Sequence, residues 1–81
     1  MKKYMGKVKG KALLFSNHVL LRSHKRAVPV SSIKQVIANP QITYSSPTGS
    51  THLEAIINGK KIVTMVNETS KAYEVLTCWS K

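Results

Sequence analysis

The middle of the N-terminal half reads Phe15-Ser16-Asn17-His18-Val19-Leu20-Leu21-Arg22-Ser23-His24-Lys25-Arg26. A serine at this place can accept a hydrogen bond from a backbone amide of the next turn, which predicts a helix from about Ser16 to Arg26. At 100° per residue, one face of this helix gathers a histidine and three cations, namely His18, Arg22, Lys25 and Arg26. The other side gathers the apolar residues Leu13, Leu14, Leu20, Leu21 and Val28. The helix is expected to pack on a core with one side and to present the basic face to a polyanion.

Positive charge is the dominant global property of the chain. Its 81 residues make one small domain, and 13 lysines and arginines stand against three acidic residues, giving a net charge of +10. A field of this sign attracts nucleic acid, an acidic protein or an anionic membrane surface. No apolar run approaches the roughly 20 residues that are needed to span a membrane.

The shortage of acids disfavours several kinds of chemistry. The chain has no aspartate, so a two-metal nuclease site lacks carboxylate ligands and a paired-carboxylate glycosidase is disfavoured. The single cysteine, Cys78, excludes an internal disulfide, and beside three histidines it gives no zinc-ligand spacing. We therefore expect no metal and no other cofactor, and any cleavage of nucleic acid is expected to proceed without metal.

The chain divides into a basic N-terminal arm over residues 1–11 and a single α+β domain over residues 12–81. The arm is rich in lysine and reads as a solvated segment. A flexible arm of this composition can also track phosphates and add salt-dependent affinity, and the two interpretations are compatible.

A second helix is predicted to begin at Ser32 and to end before Asn39-Pro40. Ser32 and Gln35 have the spacing of a capping box, and the proline stops the helix. Apolar residues at helical spacing form a stripe for the core, namely Ile33, Val36 and Ile37.

Strands are predicted at residues 41–45, 53–57, 61–67 and 72–80. Asn58-Gly59 between two of them predicts a type I′ hairpin, in which Ile57 lies opposite Lys60. The more apolar face of this hairpin is expected to meet the helices, and its members are Leu53, Ala55, Ile57, Ile62, Thr64 and Val66. The mixed face, which carries His52 and Glu54, is expected to be open.

Strict alternation over residues 72–80 places Tyr73, Val75, Thr77 and Trp79 on one side of the last strand. Which side faces the helices stays undecided, because a slip of one residue inverts the two faces. The expected fold is therefore two short N-terminal helices packed on a four-stranded antiparallel sheet.

His18 is the first candidate for chemistry, because imidazole titrates near neutral pH and can take or give a proton. Arg22, one turn away, can bind a phosphate through two hydrogen bonds, and Lys25 and Arg26 extend the basic face. An ordinary solvated helix face is an equally weighted interpretation, although such faces usually interleave the two signs of charge.

Residues of the sheet can complete a site. His52 follows a loop and can act as a second acid or base, while Tyr44 and Trp79 can stack on unpaired bases. The hydroxyl of Thr77 can bind a phosphate oxygen. The alternatives are a loop-end histidine, aromatic residues that fill a small core, and a plain strand threonine.

Several short motifs follow one another in a definite order along residues 12–80. They are Phe15-Ser16-Asn17-His18, Arg22 with Arg26, Asn39-Pro40, Asn58-Gly59 and Val75-Leu76-Thr77-Cys78-Trp79. This order resembles the small RelE-like domains within the barnase/EndoU/colicin/RelE (BECR) group of ribonuclease toxins. The resemblance implies, by position, that His18, Arg22, Arg26 and Thr77 correspond to functional residues of this group. If Thr77 lines the site, the last strand must place it beside His52, whereas the simplest hairpin count places it beside Val66.

The resemblance implies a BECR-like fold and metal-independent cleavage of RNA, with tRNA as one candidate substrate. Such domains are often delivered C-terminal toxins of contact-dependent growth inhibition systems, and free-standing members also exist. An acidic immunity or antitoxin protein is implied as partner, and the cytoplasm of a bacterial cell as the place of action. The residues alone leave two alternatives, a non-catalytic nucleic-acid-binding module and a basic adaptor that docks an acidic protein.

Overall fold

The computed structural model describes residues 2–81 as six strands and two helices. In chain order they are β1 (Lys2–Val8), β2 (Lys11–Ser16), α1 (Asn17–Lys25), α2 (Val30–Ala38), β3 (Ile42–Ser45), β4 (Thr51–Ile57), β5 (Lys60–Glu68) and β6 (Ala72–Ser80).

All six strands join one mixed sheet in the order β1-β2-β6-β5-β4-β3. Neighbouring strands are antiparallel except β2 and β6, which run parallel and pair from Ala12 with Ala72 to Phe15 with Val75. The predicted fold was wrong on this point. The sheet has six strands instead of four, it is not wholly antiparallel, and two of its strands precede the helices.

The additional strands have an identifiable physical cause. Leu13 and Phe15 are fully buried in β2, and Leu14 on the opposite face is half-buried, as expected of an inner strand. Lys9 and Gly10 both have positive φ values, of 53° and 78°, which close the tight turn to β1. The lysines of β1 are tolerated because this strand lies at the sheet edge, where charge also discourages pairing between molecules. Residues 2–8 of the proposed arm thus form β1, whereas Met1 lies outside the described residues.

The first helix was correctly predicted within one residue at each end. The Ser16 hydroxyl accepts a hydrogen bond from the Val19 amide at 3.2 Å and caps the start of α1. The assignment of the apolar side was wrong in part, because Leu13 and Leu14 belong to β2 and Leu21 is 54% exposed.

A Schellman motif ends α1. The Val28 amide donates to the Ser23 carbonyl at 2.9 Å, and the Ala27 amide donates to the His24 carbonyl at 3.2 Å. Ala27 occupies the left-handed position of this motif with φ of 54°, where a Cβ atom is sterically unfavourable.

Substitution Ala27→Gly is expected to raise the free energy of unfolding by about 0.5–1 kcal/mol, because glycine adopts the left-handed conformation without steric strain. Ala38→Gly in α2 is the matched control and is expected to destabilise, since Ala38 is helical. Urea unfolding followed by circular dichroism measures both. A loss of stability in Ala27→Gly would contradict the strain argument.

The second helix begins two residues earlier than predicted, at Val30, and Ser32 does not cap it. Pro29 is the N-cap, and its carbonyl accepts from the amides of Ser32 and Ile33 at 3.0 and 3.2 Å. Proline fixes its own φ, here −68°, and so starts the turn before the capping-box serine is reached. The predicted end before Asn39-Pro40 is confirmed.

Both helices pack on the same face of the sheet, and the predicted hairpin supplies part of it. Ile57 pairs with Lys60 across Asn58-Gly59, as predicted, with positive φ at both turn residues. The core of buried residues includes Leu13, Phe15, Val19, Ile33, Val36, Ile37, Leu53, Ala55, Ile62, Val66, Tyr73, Val75 and Cys78. The opposite face of the sheet is covered by neither helix, and we call it the open face.

A β-bulge decides which side chains of β6 reach the open face. Val66 pairs with Val75, but the preceding residue Met65 pairs with Thr77, so Leu76 is an extra residue. Before the bulge, Tyr73 and Val75 face the core, and after it Cys78 does. Thr77 and Trp79 therefore lie on the open face, and the predicted set of Tyr73, Val75, Thr77 and Trp79 is split between the two faces.

Candidate functional site

Cross-strand pairing brings the predicted sheet residues together on the open face. One row runs across four strands through Tyr44, His52, Met65 and Thr77. The adjacent row runs through Ile42, Glu54, Val63 and Trp79. The β6 bulge is essential here, because it places Thr77 in the same row as His52, with Met65 of β5 between them.

The aromatic rings in these rows are in contact. The ring of Tyr44 stacks on that of His52 with a centroid distance of 4.3 Å and an interplanar angle of 12°. Trp79 meets His52 edge-on, at 5.9 Å and 75°. Tyr44 is 53% exposed, so its ring remains accessible for stacking on a base.

His52 also forms a hydrogen bond with a buried carboxylate. Its Nε2 lies 2.8 Å from Oε1 of Glu54, two residues further along β4 on the same face. The carboxylate also binds Nζ of Lys61 at 3.2 Å and faces Nζ of Lys81 at 3.6 Å. The hydrogen bond from His52 lowers the pKa of Glu54 from its ordinary 4.5 to about 2, with Lys61 and Lys81 adding to this effect and burial opposing it.

This hydrogen bond determines which ring nitrogen of the neutral His52 imidazole carries the proton. An ionised carboxylate can only accept hydrogen bonds, so Nε2 of His52 carries the proton that bonds to Glu54. The other ring nitrogen, Nδ1, is then left as a proton acceptor. A histidine oriented by a carboxylate is a common arrangement for a general base.

The sequence analysis named His52 but not Glu54. Glu54 could have been found from its spacing, because a histidine and a glutamate at i and i+2 in a strand lie on the same face. Lys61 and Lys81 were also missed, because they approach Glu54 only when β5 and the end of β6 pair correctly. The amide of Lys81 donates to the carbonyl of Lys61 at 2.9 Å and fixes this approach.

Acid is expected to destabilise the protein through Glu54. Its folded-state pKa is depressed to about 2, so its stabilising contribution is complete above pH 4.5 and disappears as the pH falls from there towards 2. The pKa of Glu74 is also lowered, first by its hydrogen bond with Lys2, and acts in the same direction. Unfolding free energies measured between pH 6 and pH 2 (roughly the range over which carboxylates titrate) should fall less steeply for Glu54→Gln. An unchanged slope would contradict the assignment.

The basic face of α1 is divided from the sheet residues. His18, Arg22 and Lys25 are exposed on α1, which packs on the core side of the sheet through Val19. Thr77 lies on the open face. The structure therefore separates the predicted catalytic residues His18 and Arg22 from the third one, Thr77.

Arg26 links these two parts of the molecule. Its Nη1 donates to the carbonyl of Cys78 at 3.0 Å, between the open-face residues Thr77 and Trp79. The pairing of β2 with β6 ends at Val75, and Arg26 supplies a hydrogen bond to the β6 backbone beyond that point. The end of the basic face is thereby fixed beside the strand that carries Thr77 and Trp79.

Within residues 2–81, no helix is long and apolar enough to cross a membrane. No protein-family model, curated protein or solved structure matches the chain.

Proposed function

We propose that the protein is a metal-independent ribonuclease that binds RNA on the open face. One observation carries this proposal. His52 is hydrogen-bonded to the buried, ionised Glu54 and lies between Tyr44 and Trp79, on a face that neither helix covers. A net charge of +10 attracts the RNA, the aromatic rings hold unpaired bases, and the imidazole takes a proton.

In this mechanism His52 is the general base. Its Nδ1 accepts the proton of a ribose 2′-hydroxyl, and the 2′-oxygen forms a bond to the neighbouring phosphorus. The bond from phosphorus to the 5′-oxygen breaks, and that oxygen takes a proton from a second acid or from water. The products are a 2′,3′-cyclic phosphate and a 5′-hydroxyl. Glu54 orients the ring and stabilises the imidazolium that forms.

Cations and a hydroxyl complete the proposed site. Charge develops on the phosphate in the transition state, and a guanidinium near the open face can stabilise it. Arg26 is held beside Thr77 and Trp79, and Arg22 lies one turn away on α1. Thr77 is proposed to orient a phosphate oxygen. His18 is separated from the open face, so it is a candidate general acid or base only for cleavage on the basic face of α1.

The biological setting is proposed from the resemblance to RelE-like ribonuclease toxins. On this proposal the domain acts in the cytoplasm of a bacterial cell, with tRNA as one candidate substrate. Delivery from another cell, as in contact-dependent growth inhibition, is the proposed route. An acidic immunity or antitoxin protein is the proposed partner, because an excess of positive charge favours a partner of opposite sign.

The direct test is incubation of the purified protein with total tRNA and with a mixed-sequence RNA in the presence of EDTA. We expect cleavage, and we expect the new 3′ ends to carry cyclic phosphate. Intact RNA after incubation with micromolar protein would overturn the proposal. Inhibition of growth when the chain is expressed in bacteria, relieved by His52→Gln, would support it.

A non-catalytic RNA-binding module is the second candidate. It is favoured by the accessible ring of Tyr44, because exposed aromatic residues on a sheet bind bases without any chemistry. This candidate predicts steeply salt-dependent binding, no new RNA ends and normal growth on expression.

A further inference from the structure

Strand β3 forms an uncovered edge of the sheet. It is the last strand in the sheet order, all four of its residues are exposed, and within residues 2–81 it pairs with β4 alone. Such an edge presents unpaired backbone amides and carbonyls, which can pair with a strand of another molecule. Pro40 and Pro47 stand on either side of β3 and limit the edge to a short length.

The pairing with β4 determines which backbone groups of β3 point outward. Just beyond β3, the Ser46 amide donates to the Ser50 carbonyl at 2.8 Å, so the backbone of residue 46 is directed towards β4. Directions alternate along an antiparallel pair, so the backbone groups of Tyr44 are also directed towards β4. The amides and carbonyls of Thr43 and Ser45 are therefore directed away from the sheet.

Positive charge is absent from β3 and from the strand beside it. Residues 35–59 contain no lysine or arginine, and all 13 of these residues lie elsewhere in the chain. The opposite edge strand, β1, carries Lys2, Lys3 and Lys7, which would repel the same lysines of a second copy. In a protein of net charge +10, β3 is therefore the sheet edge at which a second copy meets the least repulsion.

We propose that two copies of the chain associate by pairing β3 with β3 in antiparallel orientation, about a two-fold axis beside Tyr44. Thr43 of each copy then exchanges hydrogen bonds with Ser45 of the other, through the groups that point outward. The two contributing strands are identical, so their lengths match and neither brings a charge to the interface. The two sheets become one continuous sheet.

The ring of Tyr44 supplies the side-chain contact of this pair. It stacks on His52 of the neighbouring strand at 4.3 Å, close to the spacing of about 4.8 Å between strands, so the stack runs across the strands. The free face of the Tyr44 ring is therefore directed towards the edge. In the dimer it meets Tyr44 of the second copy, at a position without hydrogen bonds, where opposite side chains approach most closely. Aromatic pairs of this kind stabilise antiparallel strands.

Dimerisation regulates RNA binding, and this part of the proposal rests on the proposed function. Tyr44 lies opposite its own copy, so the two open faces are on the same side of the joined sheet. The free face of each Tyr44 ring cannot stack on a base while it contacts the other tyrosine. RNA and the second copy therefore compete for Tyr44, and the dimer is the form that binds RNA more weakly.

Sedimentation equilibrium of the whole protein measures the association. One short strand makes a small interface, so we expect a dissociation constant on the order of 0.1 mM. Salt screens the repulsion between two copies of the chain, so the dimer is expected to be several-fold tighter at about 0.5 M than at about 0.05 M salt. Polyanion binding has the opposite dependence on salt. A protein that stays monomeric at about 1 mM in 0.5 M salt would overturn the proposal and leave the edge to a strand of a different protein.

Two variants at one position locate the interface. Ser45→Pro removes an outward amide that makes no bond to β4, and edge strands accept proline at such a position. Ser45→Ala keeps the amide and is the matched control. We expect Ser45→Pro to weaken dimerisation about tenfold or more, and Ser45→Ala to change it by less than about twofold. Circular dichroism checks that both variants fold, and equal effects of the two would overturn the assignment to β3.

An introduced cysteine tests the register and does not depend on the folding of Ser45→Pro. In the proposed pair the Cα atoms of the two Tyr44 residues are about 4.5 Å apart, a distance that a disulfide spans. Tyr44→Cys is therefore expected to form a covalent dimer on oxidation. Ile42→Cys is not, because Ile42 lies opposite Ser46 of the second copy. The native Cys78 is fully buried and common to both variants. Equal cross-linking of the two variants would overturn the register.

A labelled, non-cleavable 2′-O-methyl RNA separates this proposal from the proposed function. At saturation, we expect the RNA to convert the dimer to monomer. A dimer that persists with RNA bound to it would overturn the competition for Tyr44. A dimer formed by a protein that neither binds nor cleaves RNA would overturn the ribonuclease proposal and leave the pairing of β3 standing.

Discussion

Replacement of His52 by glutamine is expected to slow RNA cleavage by about 10²–10⁴-fold, which is the usual contribution of a general acid or base. Glutamine can still donate a hydrogen bond to Glu54 and keeps the strand position filled, but it cannot take a proton from the 2′-hydroxyl. Single-turnover cleavage of a labelled RNA in EDTA measures the effect, and RNA affinity is measured separately. We expect the affinity to change far less than the rate.

Two other histidines provide controls for this experiment. His18→Gln and His24→Gln make the same substitution at exposed positions of α1. His24→Gln is expected to leave cleavage unchanged, and His18→Gln is expected to lower it less than His52→Gln does. A large loss in His18→Gln with a fully active His52→Gln would place the general base on α1 and not on the sheet.

Truncation of Tyr44 to alanine is expected to weaken RNA binding by the loss of one stacked base, about 1–3 kcal/mol, or roughly 5- to 150-fold. The side chain is 53% exposed on the edge strand β3, so the fold should tolerate the change. No phosphate contact is removed, and the slope of log affinity against log salt should stay the same. A 2′-O-methyl RNA excludes cleavage during the anisotropy titration.

Tyr4→Ala is the matched control for this second experiment. Tyr4 is 58% exposed, but it lies on β1, at the other edge of the sheet from Tyr44. We expect Tyr4→Ala to change the affinity by less than about threefold. Equal losses in the two variants would show that the stacked Tyr44–His52 pair has no special part in RNA binding.

Local signals made much of the fold predictable. The serine cap of α1, the Asn-Pro stop of α2 and the Asn58-Gly59 turn act over a few residues, and each appears where the sequence places it. The pairing of β2 with β6 has no such signal, because the partners are about 60 residues apart in sequence. The lysines of β1 concealed a strand, since edge strands accept charges that inner strands exclude.

Part of the candidate site was predictable residue by residue, but Glu54 and the arrangement of the site were not. Tyr44, His52 and Trp79 were named from their chemistry, and the structure places them in contact. Their assembly with Thr77 depends on one extra residue, Leu76, in β6. A bulge of this kind leaves no periodic trace in a sequence, and it inverts the faces of all residues that follow it.

The position of β6 has a consequence for the synthesis of the protein. This strand lies between β2 and β5 in the interior of the sheet, yet it is formed by residues 72–80, after every other strand has been made. A nascent chain that lacks these residues has β1 and β2 on one side and β3 to β5 on the other, with no strand to join the two parts of the sheet. It also lacks Thr77 and Trp79. The site that we propose needs these two residues. It therefore cannot be completed until residues 72–80 have been synthesised and have left the ribosome. The translation machinery is thus separated in time from the activity that we propose.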